Sequence, residues 1–490
     1  MLKTGKEHLE SLRDGRVIYI GQEKVTDVTT HPAFRNAAQT IADMYDLKAA
    51  PENRDAYSFE ENGERFISYF LRAKTREDLV KRTNLHRAIA GMKHGLWGRS
   101  PDHVSAFVTG MSTNPSVFGQ YADNLLAYYE HMRKNDIYAT YAVIPPQAAR
   151  NPEFYTKANL PIPTLRVVRE DDDGLVISGM KMLATGAVFA NEIWIGNLIP
   201  LAPTQLAESI TCAVPVNAKG LTLWSRKPFE RDAQVEFENP LAHRFDETDS
   251  MVMCQEVKVP WEKVFVHNDA VLAREIYIKT PAHCYGNHQS NVRFHTKMQL
   301  LVGLASRITQ ASGADQIPAV KETIGRLAAL EATLGGMIAG QIQDAENWPE
   351  GYCTYNRRYM YAALNWCTEG HSGIIDVIRE LCGGGVFQMP ADISVMNNPE
   401  MRQEFETYWQ TPQLQAVERM KLFKLAWDLI GSEFAGRHAQ YEKFYAGASF
   451  IVRNHNYREA PWEHYHQIVD DLMASYGYPG QVAVPKKAAA

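Results

Sequence analysis

The feature that most constrains this chain is a change of texture near Pro145. From about residue 150 to 270 the sequence runs in short alternating stretches: "TLRVVRE", "GLVISGMKML", "EIWIGNLIPL", "SITCAVPV", "GLTLW" and "MVMCQEVKVP". Turn clusters such as Asp171-Asp172-Asp173-Gly174 separate them, and strands at this spacing predict a compact antiparallel β domain. The acidic turn lacks the remaining ligands of a calcium loop and reads as a hairpin. Helical periodicity holds on both sides of this block. Before it, "HPAFRNAAQTIADMYDL" puts Phe34, Ala37, Ala38 and Ile41 on one stripe. "TREDLVKRTNLHRAIAGMKHGLW" opens at a Thr75 cap followed by acidic residues. After it, Met298, Leu301, Val302, Ala305 and Ile308 share a face. "VKETIGRLAALEATLGGMIAGQIQDAE" and "QLQAVERMKLFKLAWDLIGSEFAGRHAQYEKF" read as long amphipathic helices of a bundle.

At 490 residues the chain exceeds one compact core. The reading is α+β and multidomain: a mostly helical domain over 1–145, a β-barrel or sandwich over 146–272, a helical bundle over 273–475 and a tail over 476–490. A net charge of −6 without a basic run speaks against nucleic acid. The polar start predicts no secretory leader, and no apolar run reaches 18 residues, so no membrane span is expected. Six scattered Cys with no CxxC pair predict reduced thiols and a cytoplasmic protein.

Five stretches could carry chemistry. In "HGLWGRSPDH" Pro101 forces the chain out of a helix, and Arg99 at that break could bring a permanent cation to a phenolate or carboxylate; the competing account is a surface pair with Asp102. His103 is a second titratable group there. "TYAVIPPQ" (140–147) leads from the helical into the β region and is a linker or a ligand-lining edge. In "GMKMLATGAVFANEIWIG", the small residues around Thr185 let a flat ring approach, with a hydroxyl able to donate; a plain turn competes. The glycines of "ELCGGGVFQMP" offer free N–H groups to a pyrophosphate, or a helix C-cap. No GxGxxG sits in a βαβ context, so no Rossmann site is expected.

"YGNHQSNVRFH" (285–295) places Asn, Gln, Arg and two His at the head of a long apolar-periodic segment. These residues are either solvated cap chemistry or a pocket lining. His288 could act on a substrate oxygen, or be a satisfied interdomain histidine. His103, His288 and His295 could suggest a metal, but no carboxylate or thiolate completes a set, and none is expected.

Taken together these stretches resemble the oxygenase components of two-component, flavin-dependent aromatic hydroxylases. This is the 4-hydroxyphenylacetate 3-monooxygenase family, with its chlorophenol and nitrophenol monooxygenases. The likeness runs from "TGKEHLESLRDGR" through "GRSPDH", "TYAVIPPQ", "KMLATGA", "VPWEKVFV", "YGNHQSNVRFHTKMQLLVGLASRI" and "CGGGVFQMP" to "GRHAQYEKFYAG". It implies an acyl-CoA-dehydrogenase-like architecture with a C-terminal four-helix bundle, assembled as a homotetramer. It also implies FAD used as FADH2, delivered by a separate NAD(P)H:flavin reductase, with O2 reacting through a C4a-hydroperoxyflavin to hydroxylate a phenolic ring ortho or para. A halide or nitro group on that carbon would leave.

Residue by residue, the resemblance assigns Arg99 to flavin and substrate, and Thr185 to the isoalloxazine. It puts Gly383, Gly384 and Gly385 near the cofactor's phosphates, matches Arg437 to a C-terminal arginine close to the active site, and counts Arg437 and Gln147 among the cofactor-binding residues. His288 falls to the phenol oxygen. The hydroxyphenylacetate enzymes carry Tyr and His where this chain has His103 and Tyr141. That swap points to the chlorophenol and nitrophenol branch. Residues 151–158 are a candidate lid. An acyl-CoA-type FAD dehydrogenase or dehydratase, or a catalytically dead flavin-binding relative, stays open. An iron–sulfur cluster is excluded, because Arg99, His103, His288 and His295 supply no thiolate.

Overall fold

The computed structural model describes residues 2–477; of the tail expected over 476–490, everything from 478 on lies outside the described residues. The helices form where caps and stripes agree. Thr75 accepts from the Asp78 backbone N–H while the Asp78 side chain accepts from Thr75 N–H, and this capping box opens the Arg76–Met92 helix. The Arg35–Ala49 helix buries Phe34, Ala37, Ala38 and Ile41 as its periodicity requires. It has no cap of its own. Its first N–H groups instead donate to a residue some 190 positions away: Asn36 N and Ala37 N reach the Glu230 carboxylate at 2.8 and 3.0 Å.

Burial, reinforced by Asp246, pushes the Glu230 carboxyl up to about 8 against the pull of those two N–H groups. A carboxyl that binds its proton more tightly folded than unfolded loses stabilising effect as pH rises from about 4.5 toward 8. Wild-type stability should therefore fall relative to Glu230→Gln over that window, by up to about 1.4 kcal/mol per pH unit, in urea unfolding at stepped pH.

Two sheets occupy the middle of the chain. The larger has the order Glu23–Val25, Ile18–Ile20, Leu221–Ser225, Asp249–Pro260, Gly174–Thr185, Arg166–Asp171. The smaller runs Val264–Val266, Thr211–Pro215, Glu192–Ile195, Ala139–Ala142. The Asp171-to-Gly174 turn is the expected hairpin, with Asp171 paired to Gly174. Pairing is antiparallel except where strands enter from the first 145 residues: Ile18–Ile20 lies parallel to Leu221–Ser225, and Ala139–Ala142 parallel to Glu192–Ile195. Long crossovers through helices allow that geometry.

The C-terminal bundle is built from the Ala282–Ala311, Pro318–Gln343 and Arg357–Cys382 helices and a fourth column. That column, expected as one helix, is two: Ala416–Ile430 and Glu433–Phe444. The break falls at Gly431-Ser432, where the Ser432 hydroxyl accepts from Ala435 N–H at 3.1 Å and caps the second helix. The polar run 285–295 is not a helix mouth. It lies inside the Ala282–Ala311 helix, with Asn287 to Arg293 all buried. Its side chains bind neighbouring elements, as Asn291 does in donating to Met360 O at 3.0 Å. All six cysteines are buried free thiols. Among the described residues no helix is long and apolar enough to cross a membrane.

Candidate active site

Where the first helical region, the larger sheet and the bundle meet, two carboxylates tie the three together. Glu247 accepts from Gly98 N (2.8 Å) and Arg99 N (3.1 Å) with one oxygen, and from Arg437 Nη1 (2.9 Å) with the other. Asp249 accepts from Arg437 Nη2 (2.7 Å) and Nε (3.0 Å), from Arg226 Nε (3.0 Å), and from the Thr185 hydroxyl (2.7 Å). Burial alone would raise the Asp249 carboxyl, yet Arg437 and Arg226 hold it well below the usual range. Arg99, Thr185 and Arg437, distant in sequence, thus belong to one network. The Thr185 hydroxyl spends its proton on Asp249, so toward a ligand it offers lone pairs rather than the donor its sequence context suggests.

Pro101 starts a new helix with Ser100 at its cap, and the break presents Arg99 as expected. Asp102 does not pair with it. That carboxylate binds His86 at 2.7 Å and Ser100 at 2.5 Å; burial opposes its ionisation, but His86 holds it down at about 2. The Arg99 guanidinium stacks 4.1 Å from the Tyr445 ring centroid, donates to Tyr445 O at 2.8 Å and donates to His103 Nε2. Arginine only donates, so His103 Nε2 is the acceptor and Nδ1 carries the proton. Burial and the Arg99 charge keep this imidazole neutral, well below its ordinary range. His103 Nδ1 is buried and among the described residues has no partner; the same holds for the Tyr141 hydroxyl. The two rings meet edge to face at 5.4 Å. Two unspent donors therefore stand beside a fixed guanidinium.

An aromatic wall completes the site. Phe107 packs on His103 (5.1 Å), Tyr141 (5.0 Å), Tyr277 (6.5 Å) and His283 (6.1 Å). It can do so because residue 286 is glycine: a Cβ there would overlap the Phe107 ring. Gly286→Ala should displace that wall, cost about 1–3 kcal/mol of stability and lower turnover, readable by thermal melting and initial rates.

His288 stands elsewhere. It is fully buried, its Nε2 shares a hydrogen with Thr83 Oγ1 at 2.8 Å, its Nδ1 with Gln341 Oε1 at 2.7 Å, and its ring stacks on Tyr355 at 3.6 Å. No nitrogen is left for a phenol, and the expectation that His288 handles the phenolic oxygen is corrected: it pins three elements together. His295 turns outward to Glu331 at 2.7 Å. Gln147 is exposed at the start of a short turn, and 152–157 is a short exposed helix.

The Gly383–Phe387 turn ends the Arg357–Cys382 helix. Met360 on that helix meets Asn291, so the glycines lie roughly 35 Å along the bundle from that level, at about 1.5 Å per residue. Within one chain they do not join Arg99. Sequence reasoning missed Glu247, Asp249 and Tyr445. The acidic run in "FDETDS", at the start of a strand, was the available signal.

Family models for the N-terminal and C-terminal parts of 4-hydroxyphenylacetate 3-hydroxylase match residues 4–266 and 273–474. The chain is 32% identical over 457 residues to the oxygenase component of a 4-nitrophenol 2-monooxygenase from a Rhodococcus species, covering 92% of this chain and 87% of that one. It is 31% identical over 459 residues to the pyoverdin chromophore biosynthetic protein PvcC of Pseudomonas aeruginosa, covering 92% and 90%. Among solved structures, the HpaB oxygenase component of 4-hydroxyphenylacetate 3-monooxygenase, complexed with FAD and 4-hydroxyphenylacetate, superposes with a TM-score of 0.90 at 28% identity, covering 96% and 98%. An archaeal 4-hydroxybutyryl-CoA dehydratase from N. maritimus shares the fold at 19% identity and a TM-score of 0.86.

Proposed function

The chain belongs to the 4-hydroxyphenylacetate 3-hydroxylase family, and from that premise we propose that it is a flavin-dependent aromatic hydroxylase. It works as the oxygenase component of a two-component system, taking FADH2 from a separate NAD(P)H:flavin reductase in the cytoplasm. Its substrate is a phenol, hydroxylated ortho or para, with loss of a halide or nitro group where the attacked carbon carries one.

The observation that carries this reading is the pair of unspent buried donors, His103 Nδ1–H and the Tyr141 hydroxyl, beside Arg99. A phenolic oxygen placed among them meets two donors and a permanent cation, all of which favour its anion. The phenol therefore gives its proton to solvent on binding, and no side chain needs to act as base. His103 cannot: its acceptor nitrogen is held by Arg99. An ionised ring is electron-rich, as attack by an electrophilic oxygen demands.

The residues also fit a planar ring with a polar edge. Ser250 and Tyr441 have buried hydroxyls with no partner among the described residues, and Arg437 is locked by Glu247 and Asp249. Reduced flavin, when bound, supplies the electrons and activates O2. The chain contributes position, a phenolate and the exclusion of water by Phe107, Tyr277 and Tyr445.

The glycines at 383–385 are too far along the bundle to serve their own Arg99. In a homotetramer they serve a neighbouring copy. Light scattering should give about four times the 55.3 kDa chain mass.

A panel of phenols, nitrophenols and chlorophenols, supplied with FAD, NADH and a reductase, tests the activity by mass spectrometry. Products one oxygen heavier, or with halide or nitrite released, are expected. A yellow preparation that acts on a thioester without any reductase would overturn the reading.

A further inference from the structure

Phe107, which packs on His103, also packs on a second imidazole that the chemistry above does not use. His283 packs against Phe107 at 6.1 Å and Tyr277 at 5.9 Å, so one aromatic ring touches both histidines. Its Nδ1 lies 2.9 Å from the hydroxyl of Tyr361. Tyr361 is stacked on His455 at 4.6 Å and 14°, and the exposed Arg458 guanidinium sits 5.7 Å from the Tyr361 ring centroid.

These neighbours set the tautomer. A cation on the outer side of Tyr361 draws the lone pairs of its hydroxyl outward, which points the proton inward at His283 Nδ1. Nδ1 then accepts, and Nε2 carries the hydrogen. Burial, with His455, Arg458 and Arg274 nearby, holds this imidazole down at about 3, so it stays neutral through the physiological range. Nε2 makes no hydrogen bond among the described residues and is not enclosed, while the half-buried ring sits against the aromatic wall.

Resting on the phenol-hydroxylase reading, we propose that His283 is a specificity-determining residue whose Nε2–H receives a hydrogen-bond acceptor on the substrate ring, such as a nitro, carboxylate or carbonyl oxygen. A phenol anchored by its oxygen at Arg99, His103 and Tyr141 would lay its ring along the wall of Phe107 and Tyr277, which contact both Tyr141 and His283, with its far substituent toward that donor. Tyr361 acts through His283 and is a positioning residue. A site built to donate rejects an analogue that lacks the acceptor, because the donor is left unpaired.

The test compares 4-nitrophenol with 4-ethylphenol, an analogue without the acceptor, in wild type, His283→Phe and Tyr361→Phe. In His283→Phe the ratio of KM for 4-nitrophenol to KM for 4-ethylphenol should rise about tenfold with little change in kcat for either. Tyr361→Phe should give a smaller rise, since the imidazole remains but its tautomer is no longer fixed. Anaerobic titration of 4-nitrophenol in the presence of reduced FAD, followed by its own visible absorption, should show the same loss in Kd without turnover. Equal effects on both phenols in His283→Phe, or no effect on either, would overturn the role of His283 while leaving the hydroxylase reading intact. Wild type that turns over no member of the wider phenol panel with reduced FAD would refute the hydroxylase reading itself, and this one with it.

Discussion

Replacing Arg99 by alanine should lower product formation by about 10²–10³-fold at saturating reduced flavin, with the lost turnover appearing as hydrogen peroxide. The guanidinium is the permanent cation hydrogen-bonded to His103, and it fixes the tautomer that presents Nδ1–H. Arg99→Lys keeps the charge but not the planar fork that stacks on Tyr445 while donating to both Tyr445 O and His103. It should remain at least about tenfold impaired. Either variant should stay folded, because Gly98 and Arg99 are held to Glu247 through their backbone N–H groups. Oxygenated product and peroxide measured together in one reaction check this.

The largest effect on stability is expected at Glu442. This buried carboxylate receives Arg293 through both Nη1 and Nη2, at 2.5 and 2.7 Å, and Lys297 at 2.9 Å. Burial would raise its pKa, but the two cations hold it well below the ordinary carboxylate range. Glu442→Gln leaves two cations buried with no counter-ion and should cost about 3–5 kcal/mol. The sign with pH follows: a carboxyl depressed in the folded state stabilises above its unfolded value of about 4.5, and that contribution disappears as pH falls below it. The wild type should therefore lose its advantage over the variant on acidification, as read by urea unfolding at stepped pH.

How much of this was legible depends on how local the signal is. The Thr75 box, the stripe from Phe34 to Ile41 and the Asp171–Gly174 hairpin are written within a few residues, and they appear where the sequence puts them. Strands 18–20 and 139–142 each take a parallel partner roughly 200 and 50 residues away, Leu221–Ser225 and Glu192–Ile195, and nothing local names that partner. His288 shows the limit on side chains. A polar residue on a helix reads the same whether it faces a pocket or another helix. Only the positions of Thr83 and Gln341 decide, and here they take both nitrogens. Arg99 was legible because Pro101 forces a break. Arg437 came from family likeness alone, since its partners Glu247 and Asp249 sit about 190 residues earlier.

The tie made by Glu247, Asp249 and Arg437 has a bearing on engineering. The same bonds that shape the reaction chamber also rivet the sheet to the bundle, so warming cannot loosen one and spare the other. Heat inactivation should coincide with melting rather than precede it, and libraries aimed at new substrates belong on the wall around Phe107, where changes leave the rivets untouched.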